Sequence, residues 1–349
     1  MPLVSVVLPV FHTEKYLPRT IASLLAQTLT DAEFIFVDDG SSDASREIIT
    51  AAAEKDARIR LLCQMHEGAG GARNRGLSEA KGEAVLFLDS DDFFEPDMLE
   101  VAYRRLKEHD ADICVFAAYE YDETTGEERP LDGSLRTERC PAERPFSPKR
   151  MPRYLFNSFR LEVWNKLFRR SFLTDNGIRY QSLPNTNDIA FTIEALATAN
   201  RITTVDRPLI HYCVNRPGSL QNTRDKEPTA FCKAYAEARD RLEKRGVYEY
   251  YKRSFLYSFL VCNCEKYKAL KTEKGRREQS EYVKQHAEPD FRILSHASCY
   301  YINPARLDEY AAILGIQNYR ATVRHRLLYA VQIVPCKLRG LLYRLQGKR

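Results

Sequence analysis

Two acidic runs, each directly after an apolar segment, contain the residues of this chain that are best suited to chemistry. One run is Asp38–Asp43 (DDGSSD) and the other is Asp89–Asp92 (DSDD). Carboxylates that crowd together repel one another unless a cation or a set of hydrogen-bond donors compensates their charge. Mg²⁺ and Mn²⁺ prefer such oxygen ligands and take their other ligands from water or phosphate groups. The spacing Asp89-x-Asp91 therefore predicts a divalent-metal site that in turn holds a diphosphate.

The first acidic run also has a simpler interpretation, as a polar turn that caps a helix. Gly40, Ser42 and Asp43 are typical of such a turn, but a turn does not explain the second acidic run. Other phosphate sites fit less well, because Pro9–Thr13 after the first apolar segment contains no glycine and no GxxxxGK[ST] sequence occurs. The glycines of Gly68–Arg73 (GAGGAR) are expected to let the backbone approach a ligand at the start of a helix.

The first 120 residues alternate between short apolar stretches and amphipathic ones. Five stretches predict buried strands: Val4–Pro9, Phe34–Val37, Ile59–Cys63, Ala84–Leu88 and Ile113–Ala118. Three others predict helices: Tyr16–Gln27, a stretch from the possible caps Ser42 and Asp43 to Ala53, and Pro96–His109. This alternation predicts an α/β, Rossmann-type, mostly parallel sheet with helices on both faces. Ligands of such sheets bind beyond the carboxyl ends of the strands, so both acidic runs are expected in one pocket.

The rest of the chain has a different organisation. Asp122–Pro152 is rich in Glu, Arg, Thr and Pro and predicts a long loop or lid. The next segment predicts a helical stretch around Trp164, a helix over Asp188–Ala199 and a short strand near Ile202–Val205. From Pro228 onward the pattern favours helices.

Charge and cysteine content limit the classes of function. The net charge is +5, but residues 320–349 contain eight Lys or Arg and no acidic residue. This basic amphipathic tail either contacts a membrane surface or packs its leucines on the body of the protein. Nucleic acid is not expected as a partner, since the tail offers only Tyr329 and Tyr343 for base stacking. The nine scattered cysteines argue against a zinc site or a disulfide framework.

No signal peptide and no apolar run long enough to span a membrane is found in the sequence. We therefore expect a cytoplasmic protein, either free or held at the inner face of the membrane through residues 320–349.

Five motifs, taken together and in this order, resemble the inverting family 2 glycosyltransferases with the GT-A fold. They are VSVVLPV at Val4–Val10, FVDDGSSD at Phe36–Asp43, ARNRG at Ala72–Gly76, LFLDSDD at Leu86–Asp92 and WNKLF at Trp164–Phe168. The resemblance implies a GT-A glycosyltransferase domain over residues 1–220, with a nucleotide-sugar half at about 1–120 and an acceptor half at about 150–220. A helical region over residues 221–349 follows this domain.

The resemblance also implies which residues bind the donor. Asp39 would hydrogen-bond the base, usually uracil, Asp89 would contact the ribose, and Asp91 would bind the Mn²⁺ or Mg²⁺ that bridges the diphosphate. The complete set implied for the nucleotide sugar is Pro9, Val10, Glu14, Asp39, Arg73, Asp89 and Ser90.

On the acceptor side, an inverting transfer needs a general base that removes the proton of the attacking hydroxyl. The resemblance assigns this role to Asp188, although Asn187 replaces the Glu that usually precedes it. The alternative is that Asp188 only caps its helix. Trp164 and Lys166 are expected near the acceptor, but a lone tryptophan is more often part of a core and Lys166 would otherwise meet solvent.

The implied reaction is transfer of a sugar from a nucleotide diphosphate sugar, usually a UDP-sugar, to a hydroxyl of a glycan or lipid-linked acceptor. The resemblance places this reaction in the synthesis of bacterial cell-surface polysaccharide. Two alternatives share the phosphate and metal chemistry: a nucleotidyltransferase, which normally carries a Gly-rich loop after its first strand, and a non-catalytic module that binds nucleotide sugars.

Overall fold

A computed structural model describes residues 1–216, 225–296 and 300–316. Within them, nine strands form a single sheet. The strands are β1 (Val4–Val10), β2 (Ala32–Asp38), β3 (Ile59–Cys63), β4 (Ala84–Phe87), β5 (Phe93–Phe94), β6 (Ile113–Asp122), β7 (Glu128–Pro130), β8 (Lys166–Arg169) and β9 (Ile202–Val214).

The strand order in the sheet is β3-β2-β1-β4-β8-β6-β9-β5, and β7 pairs with β6. Pairing is parallel along β3-β2-β1-β4 and between β6 and β9. Strand β8 lies antiparallel between β4 and β6, and β5 and β7 are antiparallel edge strands. Strands β1 to β4, β6 and β9 therefore run in one direction. The predicted α/β class with a mostly parallel sheet is confirmed, and the reversed strand β8 is an addition to it.

Eleven α-helices accompany the sheet in the described residues. They are α1 (Leu17–Leu25), α2 (Ser45–Ala53), α3 (Gly68–Glu79), α4 (Met98–Glu108), α5 (Arg170–Asp175), α6 (Asp188–Thr198), α7 (Ala230–Lys244), α8 (Tyr248–Ala269), α9 (Glu273–Tyr282), α10 (Glu288–Phe291) and α11 (Ala305–Ile313). Within residues 225–296 and 300–316 the chain is thus mainly helical from α7 onward, as predicted. None of the helices in the described part of the chain is both long and apolar enough to cross a bilayer. The basic tail at 320–349 lies outside the described residues.

Both faces of the sheet are covered, because the side chains of its buried strands alternate between two cores. On β1, Val6 and Leu8 pack in the core that contains Leu17 of α1. Val7 faces the other way and packs in the core that contains Leu77 of α3. A Cβ at Gly76 would lie 2.3 Å from Val7 Cγ1, so this position of the ARNRG motif allows α3 to pack directly against β1.

Three local predictions differ from the structure. The helical stretch predicted around Trp164 is wrong: this residue lies in a turn that leads into β8. Leu167 and Phe168 pack on opposite faces of the sheet, which is the two-residue period of a strand. The prediction that Ser42 or Asp43 caps the second helix is also wrong, because the N-cap residue of α2 is Ala44.

The predicted strand near Ile202–Val205 is also longer than expected. It continues as β9 to Val214, because an irregularity in its pairing with β6 accommodates the segment before Pro208. The segment Asp122–Pro152 is mainly loop, as predicted, with β7 and the short 3₁₀ turns Thr137–Arg139 and Pro148–Arg150 within it.

Candidate functional site

The carboxyl ends of β1, β2 and β4 lie side by side, and the two acidic runs begin there. Val10, the last residue of β1, is in register with Asp38. After β1, the backbone N–H of Thr13 donates to Ser45 Oγ, at the start of α2 just after the first run, at 3.0 Å, and the Thr13 hydroxyl lies 3.2 Å from Ser90 Oγ of the second run. The two acidic runs therefore share one edge of the sheet, as predicted.

Asp39 is buried and orders the loop that leads into α3. Its Oδ1 accepts hydrogen bonds from Gln64 Nε2 at 2.8 Å and from the backbone N–H of Glu67 at 2.9 Å. Its Oδ2 accepts from the backbone N–H of Gly68 at 2.8 Å, and His66 Nδ1 lies 2.9 Å from the same oxygen. Gly68 has a φ of +81°, a conformation that favours glycine. The carboxylate is thus fixed at the N-terminus of α3.

The other residues expected around the nucleoside lie at the same edge. Pro9 and Val10 end β1. Glu14 is exposed in the loop after β1, and its Oε2 accepts a hydrogen bond from the backbone N–H of Ala44 at 2.8 Å. Ser90 is buried against Thr13. These contacts hold the loop after β1 against both acidic runs.

Arg73 connects the second acidic run to the segment that carries Asp188. It projects from α3 and is only 6% exposed. One terminal nitrogen donates to Asp89 Oδ1 at 2.6 Å, and the other donates to Asn187 Oδ1 at 2.8 Å. The guanidinium therefore joins the end of β4 to the start of α6, although Asp89 and Asn187 are far apart in sequence.

The second acidic run forms a cluster of three carboxylates. One oxygen from each of Asp89, Asp91 and Asp92 lies within 4.8 Å of the others. Burial is the main cause that raises the pKa of Asp91 to about 6, and repulsion from Asp89 adds to it. Asp91 forms an ion pair with Arg216, whose positive charge acts in the opposite direction. Burial and the neighbouring carboxylates Asp91 and Asp89 raise the pKa of Asp92 well above its ordinary value.

This cluster fits a divalent cation. Asp92 Oδ1 accepts from the backbone N–H of Cys213 at 2.8 Å, whereas its Oδ2 is buried without a hydrogen-bond partner in the described residues. Three close carboxylates, of which Asp91 and Asp92 have raised pKa values, and one unsatisfied oxygen form a set of hard oxygen ligands. Asp89, Asp91 and Asp92 are therefore the residues that would hold a metal ion.

Asp188 is the first residue of α6 and lies near the same cluster. Burial raises the pKa of its carboxyl to about 6, assisted by the negative charge of Glu162 and opposed by Arg73 and Lys266. A carboxylate with this pKa is ionised at neutral pH and is still basic enough to accept a proton, which suits a general base. The helix has Asn187 at its N-cap position, with no hydrogen bond from that side chain to the helix.

Trp164 and Lys166, which were expected near the acceptor, are buried. Trp164 is 2% exposed and its ring stacks on Tyr212 at 5.1 Å between centroids. Lys166 Nζ donates to the carbonyl oxygens of Arg160 at 2.8 Å and Glu162 at 2.6 Å, and to Asn165 Oδ1 at 2.7 Å. Neither arrangement favours direct contact with an acceptor, so the acceptor-side role of both residues stays a prediction.

Sequence reasoning named Asn187 but not its contact with Arg73, and it missed Glu162. Asn187 replaces a carboxylate expected from the resemblance, and it supplies a neutral oxygen to Arg73. Glu162 forms an ion pair with Arg160 at 3.0 Å, and its negative charge is the largest charge effect on the pKa of Asp188. Glu162 lies two residues before Trp164, and no local pattern in the sequence links it to Asp188.

Comparison with known proteins agrees with this geometry. Residues 5–177 match the model of the family described as "Glycosyl transferase family 2". EpsH of Bacillus subtilis, named as a glycosyltransferase, is 33% identical over 233 residues, which are 64% of this chain and 64% of EpsH. The matched part thus spans a little under two thirds of the length of this relative.

Solved structures share the fold. S. aureus TarS, solved in complex with UDP-GlcNAc, has a TM-score of 0.68 and 22% identity and covers 92% of this chain and 93% of that chain. The mannosyltransferase PcManGT of Pyrobaculum calidifontis, solved with GDP-Man and Mn²⁺, has a TM-score of 0.53 and 15% identity, with coverage of 91% and 88%. The GT-A-like architecture with an added helical region is thereby confirmed.

Proposed function

Through residues 5–177 this chain belongs to glycosyl transferase family 2, and we propose that it transfers a sugar, with inversion, from a nucleotide diphosphate sugar to a hydroxyl group. The proposed donor is a UDP-sugar and the proposed acceptor is a glycan or a lipid-linked saccharide. The proposed setting is the synthesis of bacterial surface polysaccharide.

One observation carries the proposal. Arg73 hydrogen-bonds Asp89 of the acidic cluster and Asn187 directly before Asp188. A site for a phosphate-bound cation and a carboxylate suited to deprotonate a hydroxyl are thus attached to the same buried guanidinium. A glycosyl transfer needs both, one beside the leaving diphosphate and the other beside the attacking hydroxyl.

The choice of donor is supported by the fold neighbours. S. aureus TarS was solved with UDP and with UDP-GlcNAc, whereas PcManGT was solved with GDP-Man. TarS has the higher TM-score of the two, 0.68 against 0.53. We therefore propose a uridine nucleotide as the preferred donor. Asp39 would hydrogen-bond its base, in a pocket lined by Pro9, Val10 and Glu14.

The proposed chemistry follows from the charges at the site. Asp188, ionised at neutral pH, removes the proton of the acceptor hydroxyl as its oxygen attacks the anomeric carbon. Asp91, with Asp89 and Asp92, would hold Mn²⁺ or Mg²⁺. Such an ion would supply positive charge beside the leaving nucleoside diphosphate. Arg73 keeps the start of α6 at a fixed position relative to Asp89, so that base and donor are aligned.

The alternatives predict different products. A nucleotidyltransferase would release diphosphate and join the nucleotide to its substrate, and a binding module would release nothing.

Contact with the inner face of the membrane through residues 320–349 remains part of the proposal. Liposome sedimentation of the full chain and of a chain ending at residue 319 tests that part, and equal sedimentation would remove it.

The test is a panel of nucleotide sugars incubated with the full chain, with Mn²⁺ or with EDTA, while released nucleotide is measured. We expect Mn²⁺-dependent release of UDP from at least one UDP-sugar, even without acceptor, because water can replace the hydroxyl slowly. Absence of release from every donor, with any saccharide added as acceptor, would exclude the proposed activity.

A further inference from the structure

A pocket lies where the start of α6 meets the C-terminal helices, outside the residues considered so far. Atoms leave about 240 Å³ of space in it, part of which is open to solvent. Asn185 and Thr186, directly before α6, form one side of it. Three helices and the segment before α7 supply the rest: Glu227, Pro228, Phe231, Lys266, Leu270 and Gln279. The catalytic domain and the helical region thus build this pocket together, and Asp188 follows Thr186 by two residues.

Gln279 brings an unsatisfied acceptor to this pocket. Its side chain is 0% exposed, and its Nε2 donates to the backbone carbonyl oxygen of Asn263 at 3.0 Å and to Asn263 Oδ1 at 2.9 Å. A backbone carbonyl only accepts, so the orientation of the Gln279 amide is fixed. Its Oε1 is therefore buried without a donor among the residues that the structure describes. Such an atom costs free energy unless a ligand or water donates to it.

Lys266 brings a positive charge. This residue of α8 is half-buried, and no carboxylate within residues 1–216, 225–296 and 300–316 is close enough to form an ion pair with it. Its positive charge opposes the rise in the pKa of the Asp188 carboxyl that burial causes. The other charged residue of the lining, Glu227, is exposed at the rim.

The backbone beside the pocket is held in an uncommon conformation. Thr186 has a φ of +57°, and its hydroxyl donates to the carbonyl oxygen of Asn185 at 2.7 Å. A β-branched residue seldom adopts this conformation, and such strain is often kept at functional sites. Here it turns the chain so that Asn185 and Thr186 face the pocket while Asp188 begins α6.

We propose that this pocket is a subsite for the acceptor, in which Lys266 pairs with an anionic group and Gln279 Oε1 accepts a hydrogen bond from a hydroxyl. The proposal rests on the transferase function proposed above and names the chemistry of its acceptor: a saccharide with a phosphate or carboxylate close to its hydroxyl groups. The helical region therefore contributes to acceptor choice, whereas the acidic cluster determines donor binding.

The experiment measures binding of small probes to the full chain by saturation-transfer NMR, so it does not depend on turnover. The probes are methyl glucuronide, glucose 6-phosphate and the neutral methyl glucoside. We expect the better of the two anionic probes to bind about tenfold tighter than the neutral one, the effect of one charge-assisted hydrogen bond. Which anionic probe binds better identifies the group as carboxylate or phosphate.

Variants decide whether this preference comes from the pocket. Lys266→Met should abolish the preference, and Gln279→Met should weaken binding of all three probes. Lys274→Met, a control at an exposed lysine of α9, should change neither. Gln279 is buried, so its variant is used only if its circular dichroism matches the wild type, whereas the half-buried Lys266 tests the proposal in either case.

Two results would overturn the subsite. One is binding of the anionic probes that is unchanged in Lys266→Met, and the other is the absence of any preference over the neutral probe. Release of UDP from the donor in the absence of acceptor is measured on the wild type and on the control Lys274→Met, and it should be equal in the two. If the wild type releases no nucleotide, the transferase function fails, independently of the binding result.

Discussion

Replacement of Asp188 by Asn tests the assignment of the general base. The change keeps the shape of the side chain and removes its ability to accept a proton. We expect sugar transfer to fall by about 10²–10⁴-fold, the usual contribution of a positioned base. Affinity for the donor should stay within about twofold, because Asp188 joins the donor residues only through its neighbour Asn187 and Arg73.

The pH dependence gives a second measure of the same assignment. Burial and the charge of Glu162 raise the pKa of Asp188 to about 6, against Arg73 and Lys266. Only the carboxylate form removes a proton, so transfer should be near its maximum above pH 7 and drop to about one tenth at pH 5. An unperturbed Asp would keep most of its activity at that pH. The acid limb should be smaller in the residual activity of Asp188→Asn, where only the carboxyls of the acidic cluster still titrate in this range.

The assay compares kcat/KM for transfer with the Kd for UDP over this pH range. Asp175→Asn, at an exposed position of α5, serves as the matched control and should behave as the wild type. Thermal stability of Asp188→Asn should change little, since the loss of a charge from the first turn of α6 costs about 0.3–1 kcal/mol and relief of its burial acts in the opposite direction. Transfer at the wild-type rate, or a loss explained entirely by weaker UDP binding, would refute the assignment.

Two further predictions concern buried cations. Arg73→Lys should lower the free energy of unfolding by about 2 kcal/mol and reduce transfer, because one ammonium group cannot reach Asp89 and Asn187 together. An unchanged midpoint of urea unfolding would contradict the bridging role of Arg73. Lys166→Met should lower the free energy of unfolding by about 2–5 kcal/mol, since it deprives three oxygens within residues 160–165 of their donor. A Lys166→Met protein as stable as the wild type would show that water replaces the ammonium group.

The strands and the acidic edge could be predicted from the sequence because their signals are local. Buried parallel strands appear as short apolar runs, and the turn that follows each strand lies at one edge of the sheet whatever the distant contacts are. That is why Asp39 and Asp91 were expected at the same edge. The reversed strand β8 escaped prediction because WNKLF is too short to show whether its period is that of a strand or a helix.

The contacts that connect the two halves of the site could not be predicted. Arg73 and Asn187 are 114 positions apart in the chain, and no periodicity relates them. The burial of Trp164 and Lys166 was equally hidden, because a charged residue in a short motif gives no indication that backbone carbonyls surround its ammonium group. The pocket at Lys266 depends on how α8 and α9 pack against the start of α6, which is a property of tertiary structure alone.

Binding of UDP, measured by isothermal titration calorimetry with Mn²⁺ or with EDTA, tests most directly whether the two acidic runs meet around a cation that holds a diphosphate. We expect EDTA to weaken UDP binding at least about tenfold in the wild type and to have no further effect in Asp91→Asn. Equal affinity for UDP with Mn²⁺ and with EDTA in the wild type would contradict a metal-bridged diphosphate at Asp91.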